Sequence, residues 1–530
     1  MSTNHSTKAT AAGQSNASVL RALIVGGGVP ALAAAQTLAQ MGVDVRFARL
    51  QDIPSHVCFA PPGPIMDHGL PDPAVDQSGA EIDDVTTAPA IRRDHGGFRA
   101  TFGDGSQSFY DFVLLAPGVS LECSPPGFPE GVELFDSRID VESSRRVAYV
   151  MDYMHLSDPA LGMSAIKTAT QNVLNGGASV VCFRHVPVAH LHGETVYDEA
   201  RKAGVLFVRF AEELPVISSL RDNNDTARFR LTVKDAIDWD EQVVFDCDTV
   251  VSVTRPDSSS IPQWALQTSE GNVDEQGFLL PESVHCMSGS SFVSGVFVVG
   301  EATGNLDLIA GIAQAKAAAA KAYAWGKLSR LKRGNEPLSI SGACVGCLTC
   351  LRVCPHRAIS VTPDQSRPSV TPWPELCREC GICASVCPSV AISLAACSDD
   401  SILAFIKEVP HTDIERTTFV FGCRRSAGVL AASISMPEHV RFLSVPCAGR
   451  VSEYVIWSAL AAGAKGVLVV GCHKGNCASR TGVDWAEARI QRGLDTGLFL
   501  EGRPRLSYVT IAANEAARFE RLLAEFSAEQ

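Results

Sequence analysis

The chain has 530 residues, a formal net charge of −13 at pH 7, 46% hydrophobic residues and 19% charged residues. The acidic balance argues against nucleic acid or an anionic membrane surface as the default partner, and the hydrophobic content excludes a disordered chain. At about 150 residues per domain, the length predicts three to four domains. Thirteen of the eighteen cysteines lie between Cys344 and Cys477, which excludes a disulfide framework spread over the whole chain.

Residues 1–18 predict a flexible tail, because they lack the basic and apolar segments of a secretory signal. No run of about 18 apolar residues occurs, and the nearest candidate, 309–325, contains Lys316 and Lys321 and predicts an Ala-rich soluble helix. We therefore expect no transmembrane segment. We also expect the reducing cytoplasm, where clustered cysteines bind metal rather than pair with each other.

Residues 19–332 alternate short apolar runs with helical stretches, a pattern typical of buried parallel strands in α/β sheets. A polar linker with Gly and Pro follows at 333–342, and a short cysteine-rich segment occupies 343–398. The alternation returns in 399–530 with strand-like TTFVFGC, VRFLSVPC and GVLVVGC. The predicted order is a large α/β module, a small cysteine module and a second, smaller α/β module.

The N-terminal segment ALIVGGGVPALAAAQTLAQMG predicts a strand, a glycine-rich turn and a helix. Gly26 and Gly28 take the first two positions of G-x-G-x-x-G/A and Ala31 takes the third, so that backbone N–H groups can approach a pyrophosphate at the helix N-terminus. The acidic residue expected about 20 residues further on is not clearly present, because the second predicted strand ends in Arg49, with Asp52 beyond it. A Rossmann-like sheet that has lost its nucleotide is therefore an open alternative.

Two cysteine runs with identical spacing, C-x2-C-x2-C-x3-C-P, give the strongest signal in the chain. This is the spacing of bacterial two-cluster ferredoxins, in which the fourth cysteine of each run binds the other cluster. The spacing therefore predicts two [4Fe–4S] clusters. The first set consists of Cys344, Cys347, Cys350 and Cys387, and the second set of Cys377, Cys380, Cys383 and Cys354. A pair of structural zinc sites is the alternative, but the duplicated run with both prolines favours iron–sulfur clusters.

Four further cysteines follow predicted strands of the last module. They form the C-terminal set: Cys423, Cys447, Cys472 and Cys477. Because the carboxyl ends of parallel strands meet at one edge of a sheet, the four thiolates can surround one metal centre, which we interpret as a [2Fe–2S] cluster. Tetrahedral zinc is the open alternative. Cys397 stands apart, and we interpret His473 as a plain loop residue rather than as a hydrogen-bond donor behind the cluster ligands.

Two segments of the large module resemble those of flavoprotein disulfide reductases. Residues 111–118, DFVLLAPG, look like the strand that returns beneath the nucleotide and end at Gly118, and residues 295–304, GVFVVGEATG, look like the second signature of that family. Gly300 and Glu301 stand there in place of the usual Gly-Asp. The resemblance implies an FAD, with Glu301 on the ribityl chain and the following helix directed at the isoalloxazine.

Residues 146–247 occupy the place of that family's NAD(P)H domain. No G-x-G-x-x-G follows their first predicted strand, and the module has no C-x-x-C or C-x4-C motif for a redox disulfide. We therefore expect a degenerate domain that binds no pyridine nucleotide.

At larger scale, residues 20–395 resemble the A subunit of heterodisulfide reductase. The stretches that carry this resemblance are GGGVPA, GVFVVGEATG, GIAQAKAAAAKA, CVGCLTCLRVCP and CRECGICASVCP. Residues 417–510 resemble the delta subunit of methyl-viologen-reducing hydrogenase through FGCRRSAG, VRFLSVPCAGRV and AKGVLVVGCHKGNC. The fusion is similar to the B subunit of the quinone-interacting membrane-bound oxidoreductase complex. The implied fold is α/β, with a double Rossmann module, a two-cluster ferredoxin domain and a small C-terminal iron–sulfur domain.

The resemblance implies an oxidoreductase subunit that passes electrons between FAD, two [4Fe–4S] clusters and one [2Fe–2S] cluster. Its expected partners are heterodisulfide reductase-like subunits, a hydrogenase, a formate dehydrogenase or a quinone-reactive membrane protein, the last of which would hold it at the inner face of the membrane. We assign no catalytic side chain. A self-contained NAD(P)H oxidoreductase similar to the glutamate synthase small subunit, and a non-redox assembly module, are the alternatives.

Overall fold

The computed structural model describes residues 19–50, 80–135, 145–220, 228–282, 289–495 and 505–528. Short gaps fall at 95, 124, 126, 186–187, 189–191, 237–241, 305–306, 333–336, 363–367 and 375. The predicted tail at 1–18 lies outside these ranges, as do Asp52 and part of the predicted linker.

The first sheet begins with β1 (Arg21–Gly26), α1 (Gly28–Gln40), β2 (Asp44–Leu50) and β3 (Glu81–Val85). Three antiparallel strands form a small separate sheet: β4 (Ala90–Asp94), β5 (Gly97–Thr101) and β6 (Gln107–Tyr110). The chain then returns to the first sheet as β7 (Phe112–Ala116) and leaves it through β8 (Ser120–Leu121) and β9 (Glu133–Leu134).

The inserted region builds a second sheet from β10 (Arg146–Met151), α2 (Pro159–Leu174), β11 (Ala178–Phe183), α3 (Gly193–Ala203) and β12 (Leu206–Arg209). An antiparallel sheet of β13 (Val216–Ser219), β14 (Phe229–Lys234) and β15 (Gln242–Cys247) precedes β16 (Thr249–Val253). After β17 (Pro256–Asp257) and α4 (Gln263–Thr268), the chain returns to the first sheet with β18 (Val296–Val298) and α5 (Leu308–Lys332).

Both large sheets are parallel throughout. The first has the order β18-β7-β1-β2-β3 and the second the order β12-β11-β10-β16-β9. Alanines let α1 and α5 pack closely on the first sheet, and Ala31 and Ala315 are fully buried there. The predicted double Rossmann arrangement is confirmed, because the first sheet is completed only after the second one has been inserted.

The ferredoxin segment contains β19 (Leu338–Ile340), α6 (Thr349–Val353), β20 (Ile359–Thr362), β21 (Ser369–Pro372), α7 (Ile382–Ser385) and β22 (Ile392–Leu394). Strand β19 pairs antiparallel with β22, and β20 pairs antiparallel with β21. The end of the predicted linker thus contributes a strand to this domain.

The C-terminal module begins with α8 (Asp399–Lys407), β23 (Thr418–Cys423), α9 (Ala427–Leu430), β24 (Val440–Val445) and α10 (Glu453–Ala461). It ends with β25 (Gly466–Gly471), α11 (Gly482–Asp495), β26 (Arg505–Thr510) and α12 (Ala516–Ala528). Its parallel sheet has the order β24-β23-β25-β26. Within the ranges given above, no helix combines the length and apolarity needed to span a bilayer.

Candidate redox-cofactor sites

Glycines shape the turn between β1 and α1. A Cβ atom at Gly26 would lie 2.1 Å from the carbonyl oxygen of Ala116, so only glycine fits beside β7. Gly28 has a φ of +80°, and a Cβ atom there would meet nothing closer than Cδ of Pro30 at 3.7 Å, which leaves room in front of the helix. No side chain caps α1 and its first turn has no acidic residue. This helix N-terminus is therefore suited to an anion.

The second signature lies at the same edge of the sheet. The Glu301 side chain is 4% exposed, and its Oε2 accepts a hydrogen bond from the main-chain N–H of Val119 at 3.2 Å. Val119 directly follows Gly118, so the end of β7 contacts the signature. A Cβ atom at Gly300 would lie 3.5 Å from Cγ of Pro30, which links this segment to the first turn. The predicted FAD residues therefore come together, and the glycine-lined opening, uncapped helix and buried carboxylate fit that cofactor.

The edge beyond β2 carries an ion pair instead of the expected acidic residue. Arg49 binds Asp84 of β3 through two hydrogen bonds, Nε to Oδ1 at 2.6 Å and Nη2 to Oδ2 at 2.9 Å. These bonds lower the pKa of Asp84. A carboxylate does stand at this edge, but it comes from the neighbouring strand and is bound by arginine.

In the inserted sheet, carboxylates occupy the donors that a dinucleotide would use. The Asp158 side chain caps α2 by accepting the N–H groups of Ala160 and Leu161 at 2.9 and 3.1 Å. The Asp152 side chain, in the loop after β10, accepts the N–H groups of Ser157 and His185 at 2.8 and 3.0 Å. These N–H donors are therefore not available to a pyrophosphate, and the two carboxylates would repel it.

The first cysteine set lines one small cavity of the ferredoxin domain, whose other lining residues all lie within 340–392. Cys347 is exposed at the surface, whereas Cys350 is buried. The main-chain N–H of Ala391 donates a hydrogen bond to Sγ of Cys387 at 3.3 Å. The structure thus brings the last cysteine of the second run to the first three cysteines of the first run.

The second cysteine set is also assembled and is more deeply buried. Burial raises the pKa of Cys383, and the negative charges of the other three members and of Cys350 raise it further. Burial likewise raises the pKa of Cys380 to about 12. N–H groups donate to sulfur at Cys354 (from Ala358, 3.3 Å) and at Cys377 (from Glu379, 3.4 Å). Thiolates in such a buried place require compensation, which a bound metal cluster would supply.

All members of the C-terminal set are buried and in one group. Sγ of Cys472 lies 3.5 Å from Sγ of Cys423, and this contact lowers the pKa of Cys423 to about 6. Cys447 and Cys477 form a second hydrogen-bonded pair, in which the pKa of Cys477 is lowered to about 7 and that of Cys447 is raised. The expected convergence of strand ends is therefore present, and it takes the form of two pairs.

Cys397 and His473, which the sequence analysis considered beside the C-terminal set, lie outside it. Cys397 is buried in the core beneath the sheet, and its carbonyl oxygen accepts from Nε of Arg450 at 2.9 Å. His473 binds Thr510 through Nδ1 at 3.0 Å and Glu515 through Nε2 at 2.8 Å. His473 thus holds the loop after β25 against β26 and the start of α12.

The second set touches the C-terminal set directly. Cys380 packs against the buried cluster that the four C-terminal cysteines form with Val483. A Cβ atom at Gly449 or Gly482 would lie 3.0 or 3.5 Å from the side chain of Ile382, which stands between Cys380 and Cys383. A Cβ atom at Gly482 would also lie 2.3 Å from Sγ of Cys447. The two cysteine sets are therefore direct neighbours, with Ile382 packed beside their contact.

Arginines that the sequence analysis did not single out join the second set to the large module. Arg378, which follows Cys377, forms an ion pair with Glu282 and donates from Nε to Oγ of Ser294 at 3.2 Å. Arg93 of β4 donates to the carbonyl oxygen of His356 at 3.4 Å, two residues after Cys354. The position of Arg378 between two predicted cluster ligands could have indicated a contact residue from the sequence. No local sequence pattern indicates that Arg93 is one.

Several known proteins and protein families are similar to parts of this chain. The family of the methyl-viologen-reducing hydrogenase delta subunit matches residues 421–529, and the 4Fe-4S dicluster domain matches residues 343–391. The A subunit of the ferredoxin:CoB-CoM heterodisulfide reductase of Methanosarcina mazei is 29% identical over 248 residues, which are 44% of this chain and 30% of that protein. Thioredoxin reductase of T. acidophilum aligns with a TM-score of 0.41 and 17% identity, over 57% of this chain and 97% of that one.

The C-terminal module covers four fifths of another relative. The D iron-sulfur subunit of the F420-non-reducing hydrogenase of Archaeoglobus profundus is 38% identical over 111 residues, which are 20% of this chain and 80% of that protein. The predicted fusion of a part like the heterodisulfide reductase A subunit with a hydrogenase delta-subunit-like part is confirmed. Through its C-terminal domain, the chain belongs to the family of the methyl-viologen-reducing hydrogenase delta subunit.

Proposed function

We propose that this chain is an electron-transfer subunit of a heterodisulfide reductase-like redox complex, holding FAD, two [4Fe–4S] clusters and one [2Fe–2S] cluster. The observation that carries the proposal is that three sets of four cysteines converge, and that each set adjoins another. Buried thiols in groups of four suit iron–sulfur clusters, whose task is to accept and donate single electrons. The family match of residues 343–391 supports the [4Fe–4S] part.

The first and second sets would each hold one [4Fe–4S] cluster, with Cys387 completing the first and Cys354 the second. N–H groups donate to Sγ of Cys387 and Cys354 at 3.3 Å in each case, from the residue four positions later. Hydrogen bonds to sulfur are among the features that set a cluster's reduction potential. The repeated run thus supplies the same ligands and the same bonds at both places.

The pairing within the C-terminal set supports a [2Fe–2S] cluster over zinc. One zinc ion bound at about 2.3 Å would bring all four sulfur atoms to within about 3.8 Å of one another. The sulfur contacts of the set instead form two pairs, Cys423 with Cys472 at 3.5 Å and Cys447 with Cys477. In a [2Fe–2S] cluster two cysteines bind each iron. We therefore assign Cys423 and Cys472 to one iron, and Cys447 and Cys477 to the other.

The large module would bind FAD through Gly26, Gly28 and the start of α1, with Glu301 and the Gly118 segment beside it. When bound, FAD supplies the conversion between two-electron and one-electron transfer. The capping of α2 by Asp158 supports the expectation that the inserted domain binds no pyridine nucleotide. It therefore weighs against a self-contained NAD(P)H oxidoreductase.

Chemistry on the terminal substrate is assigned to partner subunits, since we propose no general acid, general base or nucleophile for this chain. The chain spans 30% of the length of the matched Methanosarcina mazei protein, so the partners must be found by experiment. We propose a cytoplasmic location, with attachment to the membrane through a quinone-reactive partner as the alternative.

The test is affinity purification of the full chain from its native cell without oxygen, followed by mass spectrometry of the proteins that co-purify. Cysteine-rich redox subunits, a hydrogenase or a formate dehydrogenase in the eluate would support the proposal. A membrane cytochrome would support the quinone-linked form of it. A chain that elutes alone and whose clusters are reduced by NADH would overturn the subunit role.

A further inference from the structure

The second cysteine set has neighbours on two sides that belong to different modules. On one side, Cys380 packs against the C-terminal set. On the other, Arg378 pairs with Glu282 of the large module. The segment that carries Glu282 is joined to the second flavin signature, because the N–H of Leu279 donates to the carbonyl oxygen of Ala302 at 2.8 Å. The second set therefore contacts both the large module and the C-terminal module, which also meet each other where Arg480 contacts Asn272 and Phe292.

The ligand loops of the second set make further contacts with the large module. Arg357, three residues after Cys354, forms an ion pair with Glu270 at 3.0 Å. Arg93 binds the carbonyl oxygen of the neighbouring His356 at 3.4 Å. Both cysteine runs thus dock on the large module through residues next to ligands of the second set.

The first set has a different position. Its cavity is lined only by residues of the ferredoxin domain itself. On the side of the C-terminal module, a groove of about 500 Å³ separates Cys387 from Tyr454 and Trp485. Its close neighbour is the second set, through Cys350 and Cys383. The first set is therefore not interposed between the large module and the C-terminal set.

The first set also reaches the surface. Cys347 is exposed, whereas in the second set Cys377 and Cys383 are buried and Cys354 and Cys380 are only partly exposed. Val345, between Cys344 and Cys347, is 57% exposed, so more than half of its surface is open at this edge. An exposed ligand is what a protein needs in order to exchange electrons with a carrier that it binds only briefly.

We propose that the second set is the junction of the three modules, and that the first set is a side branch whose exposed edge at Cys347 contacts an external one-electron carrier protein. The proposal rests on the proposed function. The exchange is balanced as one electron: the carrier gains the electron that the chain loses, and no bond forms or breaks. The proposal excludes a linear order in which the first set lies between the large module and the C-terminal set.

The first arm of the test is spectroscopic. In the fully reduced holoprotein, a nearby fast-relaxing [4Fe–4S] cluster makes the [2Fe–2S] EPR signal hard to saturate with microwave power. Cys354→Ser, which removes a second-set ligand on the side away from the C-terminal module, should lower the half-saturation power at least tenfold. Cys347→Ser, which removes a first-set ligand, should leave it within twofold of wild type. A larger fall in half-saturation power in Cys347→Ser than in Cys354→Ser would overturn the placement of the second set as the junction. An equal fall in both variants would also overturn it.

The second arm measures the carrier contact, with an acidic two-cluster ferredoxin as the probe. Val345→Glu should slow the second-order electron exchange at least tenfold, with the EPR signals of all clusters retained. The matched control is Val216→Glu, on β13 of the inserted domain, where Val216 is 61% exposed. Equal electron-exchange rates for the two variants would overturn the proposed carrier contact at the exposed edge of Cys347. A wild-type protein without any [2Fe–2S] signal would instead refute the proposed function.

Discussion

Gly381 passes so close to Arg450 that a Cβ atom on the glycine would lie 2.3 Å from Cδ of the arginine. Gly381 has a φ of +79° and immediately precedes α7, which carries Cys383. Arg450 is 1% exposed and binds Asp399 at 2.8 Å. The contact between the ferredoxin domain and the C-terminal module therefore requires glycine at position 381.

Gly381→Ala should weaken this contact beyond the cost of its backbone conformation. The matched control is Gly105→Ala, because Gly105 has a φ of +82° and open space where its Cβ would lie. Both variants bear the strain of a left-handed alanine, about 1–2 kcal/mol. Only Gly381→Ala adds overpacking, about 1–3 kcal/mol. The measurement is the guanidinium midpoint for loss of the visible cluster absorbance without oxygen, and equal midpoints would contradict the prediction.

Gly28→Ala should remove flavin from the purified protein. The backbone at Gly28 is where a pyrophosphate would approach α1, so a methyl group there should reduce FAD content about tenfold. Gly42→Ala is the control at the other end of the same helix, since Gly42 has a φ of +76° and nothing within 4 Å of its Cβ position. The readout is FAD released per chain on denaturation. Flavin retained in Gly28→Ala would contradict the assignment of this turn.

The reactivity of Cys347 in the iron-free protein should depend on Thr349. The Thr349 hydroxyl contacts Sγ of Cys347 at 3.4 Å, and this hydrogen bond lowers the pKa of the thiol. A lower pKa gives more thiolate at a given pH, so Thr349→Val should move the alkylation profile to higher pH and slow alkylation about threefold near neutrality. Mass spectrometry of the modified peptides measures both, with exposed Cys123 as the internal control. An unchanged profile at Cys347 would refute the role of Thr349.

The sequence predicts much of the redox architecture because its ligands follow local rules. The ferredoxin sets depend on spacing within two short runs, and each run repeats the same backbone, with positive φ at Leu348 and Gly381. The C-terminal set depends on the parallel strand order, which brings Cys423 and Cys472 to one edge. Asp158-Pro159 is a recognisable helix start that the sequence analysis did not use.

Other features depend on how separate modules fit together. The pairing of Cys447 with Cys477 depends on the path of the loops after β24 and β25, which no spacing encodes. The contacts of Arg378 with Glu282 and of Arg93 with His356 join residues about 100 to 260 positions apart. Such contacts arise from complementary surfaces of already folded units. For the same reason, the order in which the three cysteine sets are placed could not be predicted from the order of the cysteines.

The most direct test of the central claim is a cofactor count on the full chain, purified without oxygen and analysed for iron, acid-labile sulfide, zinc and flavin, with EPR of the reduced protein. The account predicts about ten irons and about ten sulfides per chain, one FAD, no stoichiometric zinc, and a [2Fe–2S] signal beside those of two [4Fe–4S] clusters. About eight irons with one zinc would contradict the C-terminal assignment. Protein without iron or flavin would contradict the account as a whole.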